Sequence, residues 1–358
     1  MARFSDVLTI INGKNQAKVE NPNGKYPIYG SGGIMGYADD YICESQTVII
    51  GRKGSINKPI FVETPFWNVD TAFGLSAKKD VLLPKYLYYF CECFDFEKLN
   101  TTVTIPSLTK ANLLNIEIEL PTIEQQQEIA VQLDNVESIV SLRKQQLSKL
   151  DELVKSRFIE LFGGIHDSKI YPYKAVKELT DVVSGGTPSR DISEYWEEGT
   201  IPWIKTTELK NNIVTEVEEY ITEQGLSNSS AKIVPSGTVL IAMYGQGKTR
   251  GMTAYLGIEA CTNQACACIL PSAKINQTFL WQFFILSYDN LRDMAKGGNQ
   301  PNLNGNMIKN YPILCPPMEL QEQFAVFIEQ IDKSKFEIQK SLEKLETLQK
   351  ALMQKYFG

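Results

Sequence analysis

Two long stretches of the chain carry apolar residues at seven-residue steps. The first runs from about Glu124 to Phe162, contains no Gly or Pro, and is rich in Gln, Glu, Lys and Leu, which favour helix. The second runs roughly from Glu319 to Tyr356. The apolar seam positions are Leu133, Val140, Leu147, Leu150, Val154 and Leu161 in the first stretch and Ile331, Ile338, Leu342, Leu345 and Leu352 in the second. The spacing predicts two helices of about forty residues, each about 60 Å long, with a heptad seam.

Each predicted seam needs an apolar partner. An antiparallel pair within the chain is the simplest arrangement that buries both seams, because each helix has the other available. Association with a helix of a second molecule is the competing arrangement. A paired set of helices of this length would act as a rigid spacer.

The helices belong to an internal repeat. A shift of 195 positions (301 − 106 = 195) places residues 106–163 on residues 301–358 without a gap. Pro121 then matches Pro316, and Gln126 matches Gln321. The chain is therefore a tandem duplication.

The parts that precede the helices have a mixed pattern. The runs Thr47–Ile50, Thr238–Ile241 and Ala265–Leu270 are rich in β-branched and apolar residues and predict strands. Pro84–Cys91 and Gln277–Phe284 follow as aromatic-rich stretches that predict short helices. The order is the same in both halves, so we expect two mixed α/β (α+β) domains in tandem, each followed by a long helix.

Composition narrows the function classes. The chain has 358 residues with 43% hydrophobic and 22% charged content, as in a folded protein of two domains. Its apolar runs are shorter than the roughly 20 residues of a membrane span, and the N-terminus lacks the pattern of a secretory signal. We therefore expect a cytoplasmic protein.

Catalytic and metal chemistry have no visible site in the sequence. The only histidine is His166, and Cys91-x-Cys93 and Cys266-x-Cys268 lack the two-residue spacer of a zinc knuckle. Asp39-Asp40 and Glu197-Glu198 fit solvated faces better than acid/base pairs, and the sequence has no Asp/Asn-Pro-Pro-Tyr/Phe tetrapeptide of the kind that amino-methyltransferases use. We expect no catalytic residue, no metal and no cofactor.

The net charge of −6 disfavours nucleic-acid binding unless basic residues cluster locally, because phosphate neutralisation needs Lys and Arg. Two Gly-rich basic loops provide such clusters at matching positions. Gly51–Asn57 follows the predicted strand of the first half, and Tyr244–Gly251 follows that of the second. Exposed backbone N–H groups, hydroxyls and cationic side chains suit contacts to nucleic-acid phosphates.

Two other interpretations of these loops stay open. Gly247-Lys248-Thr249 resembles the end of a nucleotide-binding phosphate loop, but Ala242 stands where that motif needs its first glycine. Each loop also fits a plain turn between strands.

Further polar segments recur in matching places. Tyr26–Gly33 corresponds to Ile201–Thr207, and residues 100–106 correspond to residues 296–301. Amide and cationic side chains on such loops pair with base edges, and hydroxyls pair with phosphates. The candidate DNA-binding residues are Tyr29, Ser31, Arg52, Lys53, Ser55, Asn57, Lys58, Thr102, Thr104, Lys205, Thr206, Thr207, Tyr244, Gln246, Lys248, Thr249, Arg250, Lys296, Asn299 and Gln300.

The order of these segments resembles a known family. Pro106–Lys110, Ile118–Ala130 and a long helix are followed, after the second half's own segment, by Gln300–Asn304, Ile313–Ala325 and another long helix. This arrangement resembles the specificity subunit of type I restriction-modification systems. The resemblance covers essentially the whole chain, and the repeated Pro-x-x-Glu-x-Gln at the start of each long helix is its most specific element.

The resemblance implies a function and a set of partners. Residues 1–121 and 165–316 would be target-recognition domains that each read one half of a split double-stranded DNA sequence. Residues 122–164 and 317–358 would be spacer helices that pair as an antiparallel coiled coil with pseudo-twofold symmetry and dock two methyltransferase subunits. A restriction subunit would join to cut DNA, and the chain itself would be noncatalytic. The family has no motif that fixes the base-contacting residues.

Two other functions compete with this expectation. A structural adaptor would use the coiled coil only to link proteins and would show no sequence preference on DNA. A nucleotide-hydrolysing enzyme would use Gly245–Thr249 as its phosphate loop.

Overall fold

The computed structural model describes residues 1–99, 107–245, 247–295 and 302–358, and it divides into two compact units. Unit 1 comprises Met1–Gln146 and Ile338–Gly358, and unit 2 comprises Leu147–Glu337. The two long helices span Ile123–Phe162 and Met318–Phe357. All four helix ends lie within one residue of the stretches predicted from the heptad pattern. Each helix contributes one part to each unit.

Unit 1 contains two sheets and a strand pair. Its strands are β1 (Ala2–Arg3), β2 (Leu8–Asn12), β3 (Tyr26–Gly30), β4 (Gly33–Ala38), β5 (Thr47–Gly51), β6 (Ile60–Val62), β7 (Trp67–Asn68), β8 (Ala72–Ala77) and β9 (Glu117–Ile118). Its helices are α1 (Phe4–Val7), α2 (Pro84–Cys93), α3 (Lys110–Leu114) and the first part of α4 (Ile123–Phe162), with a 3-10 turn at Phe96–Leu99. The sheet orders are β2-β8-β5-β6 and β4-β3-β7, and β1 pairs with β9.

Unit 2 repeats this plan. Its strands are β10 (Tyr173–Ala175), β11 (Val182–Ser184), β12 (Ile201–Ile204), β13 (Asn212–Val214), β14 (Glu219–Ile221), β15 (Val239–Ala242), β16 (Thr253–Leu256), β17 (Cys261–Thr262), β18 (Cys266–Ile269) and β19 (Pro312–Leu314). Its helices are α5 (Val176–Leu179), α6 (Glu223–Ser227), α7 (Gln277–Leu286), α8 (Tyr288–Met294), α9 (Gly305–Lys309) and the first part of α10 (Met318–Phe357), with 3-10 turns at Ser193–Tyr195 and Thr206–Glu208. The sheet orders are β11-β18-β15-β16-β13 and β14-β12-β17, and β10 pairs with β19.

The two units share one strand topology. The antiparallel chain β2-β8-β5-β6 corresponds to β11-β18-β15-β16, and β4-β3-β7 corresponds to β14-β12-β17. In both three-stranded sheets the central strand pairs antiparallel with one neighbour and parallel with the other. Unit 2 adds β13 at the edge of its larger sheet. The duplication therefore extends into the globular parts, although few of their residues are identical.

The central strands form the core of each unit. Every residue of β5 and of β15 is buried, which explains why their sequences are continuous apolar runs without alternation. In unit 2 the Phe158 ring of α4 lies within 5.6 to 6.1 Å of Phe279 and Phe283 of α7 and Phe324 of α10. In unit 1 the Phe357 ring of α10 lies 5.0 Å from Tyr86 of α2.

Within each unit the long helices pack antiparallel: as residue numbers rise along α4, the numbers of their partners on α10 fall. In unit 1, Tyr356 donates a hydrogen bond to Gln132 (2.8 Å) and Lys144 pairs with Glu346 (2.9 Å). In unit 2, Asp151 pairs with Lys335, and the Phe158 ring lies 5.6 Å from that of Phe324. Such exposed ion pairs contribute little free energy, so burial of the apolar seam contributes more to the pairing. Leu133, Val140, Val154, Ile331 and Leu342 are buried, and Leu147, Leu150, Leu161, Ile338, Leu345 and Leu352 are half-buried.

The repeated glutamine at the start of each long helix is a buried brace. In unit 1 the Gln126 Oε1 accepts the Leu83 backbone N–H (2.8 Å), and its Nε2 donates to the carbonyls of Val81 and Pro121 (both 3.0 Å). Leu83 is the N-cap residue of α2. The side chain therefore satisfies a backbone donor at the start of one helix from the first turns of another.

Unit 2 uses its matching glutamine in the same way. The Gln321 Oε1 accepts the N–H of Asn276 (2.9 Å), the N-cap residue of α7, and its Nε2 donates to the Pro316 carbonyl (2.8 Å). The repeated Pro-x-x-Glu-x-Gln sequence thus fixes the long helix to the helix of the preceding globular part. Among the described residues, no helix combines the length and the apolarity needed to cross a membrane.

Replacement of either brace should destabilise the protein. Gln126→Leu or Gln321→Leu keeps the side chain's bulk but orphans a buried N–H and a proline carbonyl, which costs about 1–3 kcal/mol per unsatisfied group. Urea unfolding of the full chain measures the loss. The exposed neighbours Gln127 and Gln323 provide the controls Gln127→Leu and Gln323→Leu. Equal stability losses for braces and controls would contradict the assignment.

Candidate nucleic-acid interface

The candidate residues of unit 1 meet at one end of its larger sheet. Gly51 at the end of β5 pairs with Ala72 at the start of β8, and Asn12 at the end of β2 pairs with Phe73. The segments that follow β2 and β5 and the segment that precedes β8 therefore emerge at the same end of the sheet. We name this end the loop end of unit 1.

The β3–β4 hairpin reaches the same loop end. Tyr29 in β3 pairs in parallel with Asn68 in β7, and β7 leads directly into β8, so β3 ends beside the start of β8. The Ser31 Cβ lies 3.0 Å from the position that a Cβ on Gly51 would take. Tyr29 packs edge to face on Phe66 (5.4 Å), and its burial raises the pKa of its hydroxyl. Tyr29 and Ser31 thus border the 52–58 loop.

The 52–58 loop has an anchored backbone. The Arg52 N–H donates to the Thr71 carbonyl (2.8 Å), and the Arg52 carbonyl accepts the Leu108 N–H (3.0 Å). Ile56 is buried in the core of unit 1, whereas Lys53, Ser55 and Lys58 are exposed. The loop therefore presents polar side chains from a fixed backbone.

Asn57 has a different role from the one that its amide suggests. Its Nδ2 donates to the Asp95 carboxylate (2.9 Å), and its Oδ1 accepts the Phe96 N–H (2.8 Å). The hydrogen bond from Asn57 lowers the pKa of Asp95. Both ends of the Asn57 amide are used inside unit 1, so the residue shapes the loop.

The candidate residues of unit 2 meet at the matching end of its larger sheet. Ala242 at the end of β15 pairs with Cys266 at the start of β18. β12 pairs in parallel with β17 through Ile204 and Thr262, and β17 leads into β18. The Lys205–Thr207 segment after β12 and the 244–250 segment after β15 therefore emerge at the same end of the sheet, which we name the loop end of unit 2.

Helix α8 braces the 244–250 segment. Arg292 donates to the Gly247 and Arg250 carbonyls (both 2.9 Å), and the Tyr288 hydroxyl donates to the Lys248 carbonyl (2.7 Å). Gly245, Gly247 and Gly251 have φ values of 149°, 58° and 86°, which glycine adopts without strain. Tyr244 and Lys248 are exposed, and Thr249 and Arg250 are half-buried. The carbonyls of Gly247, Lys248 and Arg250 therefore face α8, which holds residues 247–250 in place.

The charge of Lys205 is compensated within unit 2. Its ammonium pairs with Glu219 (2.8 Å) and Glu218 (2.9 Å), and hydrogen bonds to these carboxylates raise the pKa of Lys205 to about 12. Arg190 also pairs with Glu219 (2.6 Å). Thr206 and Thr207 lie in the adjacent 3-10 turn, half-buried and exposed respectively. This cluster fixes the segment and adds little net positive charge.

Four other candidate cations, unlike Lys205, have no carboxylate partner in the described structure. Among the residues that the structure describes, no ion pair involves Arg52, Lys53, Lys58 or Lys248. The Arg52 guanidinium lies 5.7 Å above the Phe73 ring. Each loop end therefore carries positive charge that no carboxylate of the described residues neutralises, on a backbone held by hydrogen bonds.

The two loop ends connect to the repeated segments through one equivalent hydrogen bond. The Leu108 N–H donates to the carbonyl of Arg52, and the repeat-equivalent Leu303 N–H donates to the carbonyl of Met243, both at 3.0 Å. The candidates that precede these leucines, Thr102, Thr104, Lys296, Asn299 and Gln300, and also Gln246, lie outside the described residues.

The geometry disfavours a nucleotide site at Gly245–Thr249. A phosphate loop joins a strand to a helix whose N-terminus faces the phosphates. The 244–250 segment joins β15 to β16, which pair antiparallel as a hairpin. In the described part of the chain, no cluster of three or more His, Cys, Asp or Glu side chains could hold a metal ion.

Sequence reasoning missed two groups that shape the unit 2 loop end. Tyr288 and Arg292 brace a loop some forty residues earlier, and their only signal is an i, i+4 spacing on a short helix. Arg190 stacks 3.5 Å over Trp196 and 4.9 Å from Trp203. Its value as a brace depends on contacts that the sequence does not display.

Comparison with known proteins gives a consistent family. The family model described as the type I restriction modification DNA specificity domain matches residues 1–152 and 171–349. The MjaIX specificity subunit of Methanocaldococcus jannaschii is 29% identical over 216 residues, 57% of this chain and 48% of that protein. The EcoR124I/EcoR124II specificity subunit of Escherichia coli is 25% identical over 163 residues, 45% of this chain and 40% of that protein. The chain thus spans less than half the length of these two relatives in the matched regions.

A third relative is matched along nearly its whole length. The MjaVIII specificity subunit of Methanocaldococcus jannaschii is 24% identical over 390 aligned residues, covering 99% of this chain and 90% of that protein. The crystal structure of a type I restriction-modification S subunit from M. genitalium superposes with a TM-score of 0.67 at 16% identity and covers 100% of this chain and 95% of that one. A second structure, from work on assembly and conformational transition of the type I system, has a TM-score of 0.56 at 17% identity, with 99% and 96% coverage.

The structural likeness establishes the same fold, and the family model covers both halves of the sequence. The chain belongs to the family of type I restriction-modification DNA specificity subunits.

Proposed function

We propose that this protein is the noncatalytic subunit that selects the DNA sequence for a type I restriction-modification complex. Residues 1–121 and 165–316 would be its target-recognition domains, each reading one half of a bipartite double-stranded target through its loop end. The observation that carries the proposal is that both units present matching loop ends with uncompensated cations and hydroxyls on braced backbones.

The net charge of −6 does not contradict this role. Phosphate contacts depend on the local charge that faces the DNA. Arg52, Lys53 and Lys58 lie on one loop and Lys248 on the other, without ion pairs in the described structure. Two weak readers joined by a rigid spacer also bind more tightly than either alone, because the second binding event becomes intramolecular.

The long helices, residues 122–164 and 317–358, would form an antiparallel coiled coil that sets the distance between the half-sites. They would also dock two methyltransferase subunits, with restriction subunits joining the complex. The antiparallel order of the residue pairs between α4 and α10 within each unit supports this arrangement.

Exposed apolar residues at repeat-equivalent helix positions support the docking. Val131 and Val326 are 44% and 54% exposed, and Leu153 and Leu348 are each 46% exposed. Both pairs are separated by the 195-residue shift of the repeat (326 − 131 = 195; 348 − 153 = 195). Because each exposed residue on one long helix has an equivalent on the other, the two helices could each bind one copy of the same partner protein.

The adaptor hypothesis explains the helices but not the loop ends. A chain that only links proteins has no need for uncompensated cations on two braced loops. The DNA-specificity function explains both features, and it places the protein in the cytoplasm with the DNA it reads.

Methylation assays test the proposed function directly. The isolated chain should transfer no methyl group, and coexpression with its methyltransferase subunits should methylate a two-part sequence, detected by sequencing modified genomic DNA. Methyl transfer by the chain alone, or modification without a bipartite sequence, would sink the proposal.

Loss of a loop cation should weaken DNA binding equally on all sequences. For Lys53→Ala and Lys248→Ala in the complex with methyltransferase subunits, the slope of log K against log salt should fall by about 1 each. Filter binding or fluorescence anisotropy at several salt concentrations measures it.

The chain offers matched controls for this experiment. Lys79 follows β8, and Lys274 follows β18, so both lie at the opposite ends of the same sheets. Lys79→Ala and Lys274→Ala should leave the salt slope unchanged. If all four variants behave alike, these loops do not contact the phosphates.

An acidic residue at the exposed leucines should prevent assembly. Leu153→Glu combined with Leu348→Glu places charge in the proposed apolar contact, where an unpaired buried charge costs several kcal/mol. We expect loss of copurification with methyltransferase subunits and an unchanged melting temperature of the isolated chain. Gln145→Glu, at another exposed position of α4, is the control, and assembly of the double variant as efficient as that of the control would refute the docking site.

A further inference from the structure

The β3–β4 hairpin of unit 1 exposes apolar side chains. Ile34 and Met35 of β4 are 56% and 62% exposed, and Tyr37 on the same strand is also exposed. β4 is the edge strand of the sheet β4-β3-β7. The 19–21 segment covers the far end of this edge, because the Asn21 N–H donates to the Tyr37 carbonyl (2.9 Å), whereas Ile34 and Met35 lie at the end nearest the turn. Exposed apolar side chains beside polar loops mark a contact surface.

The turn of this hairpin contains glycines with different reasons for being glycine. Gly33 has a φ of 117°, which other residues rarely adopt, and a Cβ on Gly30 would lie 2.7 Å from the Met35 Sδ. A Cβ on Gly32 would meet nothing within 4 Å, and the φ of Gly32 lies outside the left-handed region. The fold itself therefore does not require glycine at position 32. A glycine in such a place fits a backbone that closely approaches another molecule.

The position of the hairpin indicates what it approaches. Ser31 in its turn lies against Gly51, directly before Arg52 and Lys53. These cations have no ion pair in the described structure. An apolar tip beside uncompensated positive charge is complementary to DNA, which presents apolar groups between two rows of phosphates.

The shape of the hairpin selects the groove. β3 pairs with β7 only at Ile28 and Tyr29, so the tip of the hairpin beyond them is a two-stranded ribbon. Such a ribbon fits the major groove of B-DNA, which is about 12 Å wide, whereas the minor groove is about half that width. In the major groove the apolar group on a base edge is the C5-methyl group of thymine. The Ile34 and Met35 side chains offer methyl and thioether surface and no hydrogen-bonding donor.

We infer that the β3–β4 hairpin of unit 1 enters the major groove and that Ile34 and Met35 contact a thymine C5-methyl group in its half-site. This inference rests on the proposed function. Gly32 allows the turn to approach the DNA backbone closely. Ile34 and Met35 are thus specificity residues outside the set predicted from sequence, and Gly32, within the predicted segment Tyr26–Gly33, is a positioning residue.

Replacement of thymine by deoxyuridine tests the contact, because it removes only the C5-methyl group. The target is first defined by sequencing DNA modified by the wild-type complex, and the unit 1 half-site is identified by exchanging the unit 1 recognition domain. Duplexes with single deoxyuridine substitutions are then titrated with the complex of this chain and its methyltransferase subunits. At one thymine we expect a loss of affinity on the order of 3- to 10-fold, the size expected for one buried methyl group.

A double-mutant cycle assigns the loss to the hairpin. The variant Ile34→Ser, Met35→Ser should bind the thymine duplex more weakly and show no further loss with deoxyuridine. Gly32→Ala should weaken binding without lowering the melting temperature, because its Cβ meets no protein atom. Val81→Ser changes another exposed apolar residue of unit 1 and should retain the full deoxyuridine effect.

The outcomes separate this inference from the proposed function. Bipartite methylation with no deoxyuridine effect, a half-site without thymine, or an undiminished deoxyuridine effect in the double variant overturns the hairpin contact alone. Loss of methyltransferase binding by the Ile34, Met35 variant would reassign the hairpin to a protein contact and also overturn it. Absence of bipartite methylation by the wild-type complex overturns the proposed function itself.

Discussion

The packing of each unit's short aromatic helix against the long helices is the constraint on which the rest of the structure depends. In unit 2, Phe279 and Phe283 of α7 pack with Phe158 of α4 and Phe324 of α10. The buried glutamine Gln321 adds a directional bond to the start of α7. Because the core of each unit includes parts of both long helices, neither globular part completes its core without the pairing partner. The core of each unit therefore includes the packing of the long-helix segments within that unit.

The sequence was sufficient to predict the elements whose pattern is local. A heptad spacing sustained over forty residues located both long helices, and continuous apolar runs located β5 and β15. Which segments of the long helices belong to which unit could not be predicted in this way. Ile338–Gly358 belongs to unit 1 and Leu147–Phe162 to unit 2, because side-chain contacts between residues distant in sequence decide which helix segment completes which core.

The candidate interface was likewise predictable only in its local features. The matching positions of the loops in the two halves identified Ser31, the 52–58 loop, Lys205–Thr207 and the 244–250 segment as candidates. The strand pairing brings the candidates of each unit to one end of its larger sheet. Residue type alone could not show that the Asn57 amide is consumed by Asp95 and Phe96 or that Glu218 and Glu219 neutralise Lys205. A polar side chain on a loop becomes available for a ligand only if no internal partner satisfies it, and such partners come from other segments.

The duplicated topology carries different surface chemistry in its two copies. β4 of unit 1 exposes Ile34 and Met35, whereas its counterpart β14 of unit 2 carries Glu219, which is paired with Lys205 and Arg190. By contrast, Gln126 and Gln321 make equivalent hydrogen bonds in both units, each accepting an N–H from the N-cap residue of a short helix. The proposed function would require shared braces and divergent edge strands, because one scaffold would then recognise two unlike half-sites. An edge strand can change its exposed side chains without disturbing the core behind it.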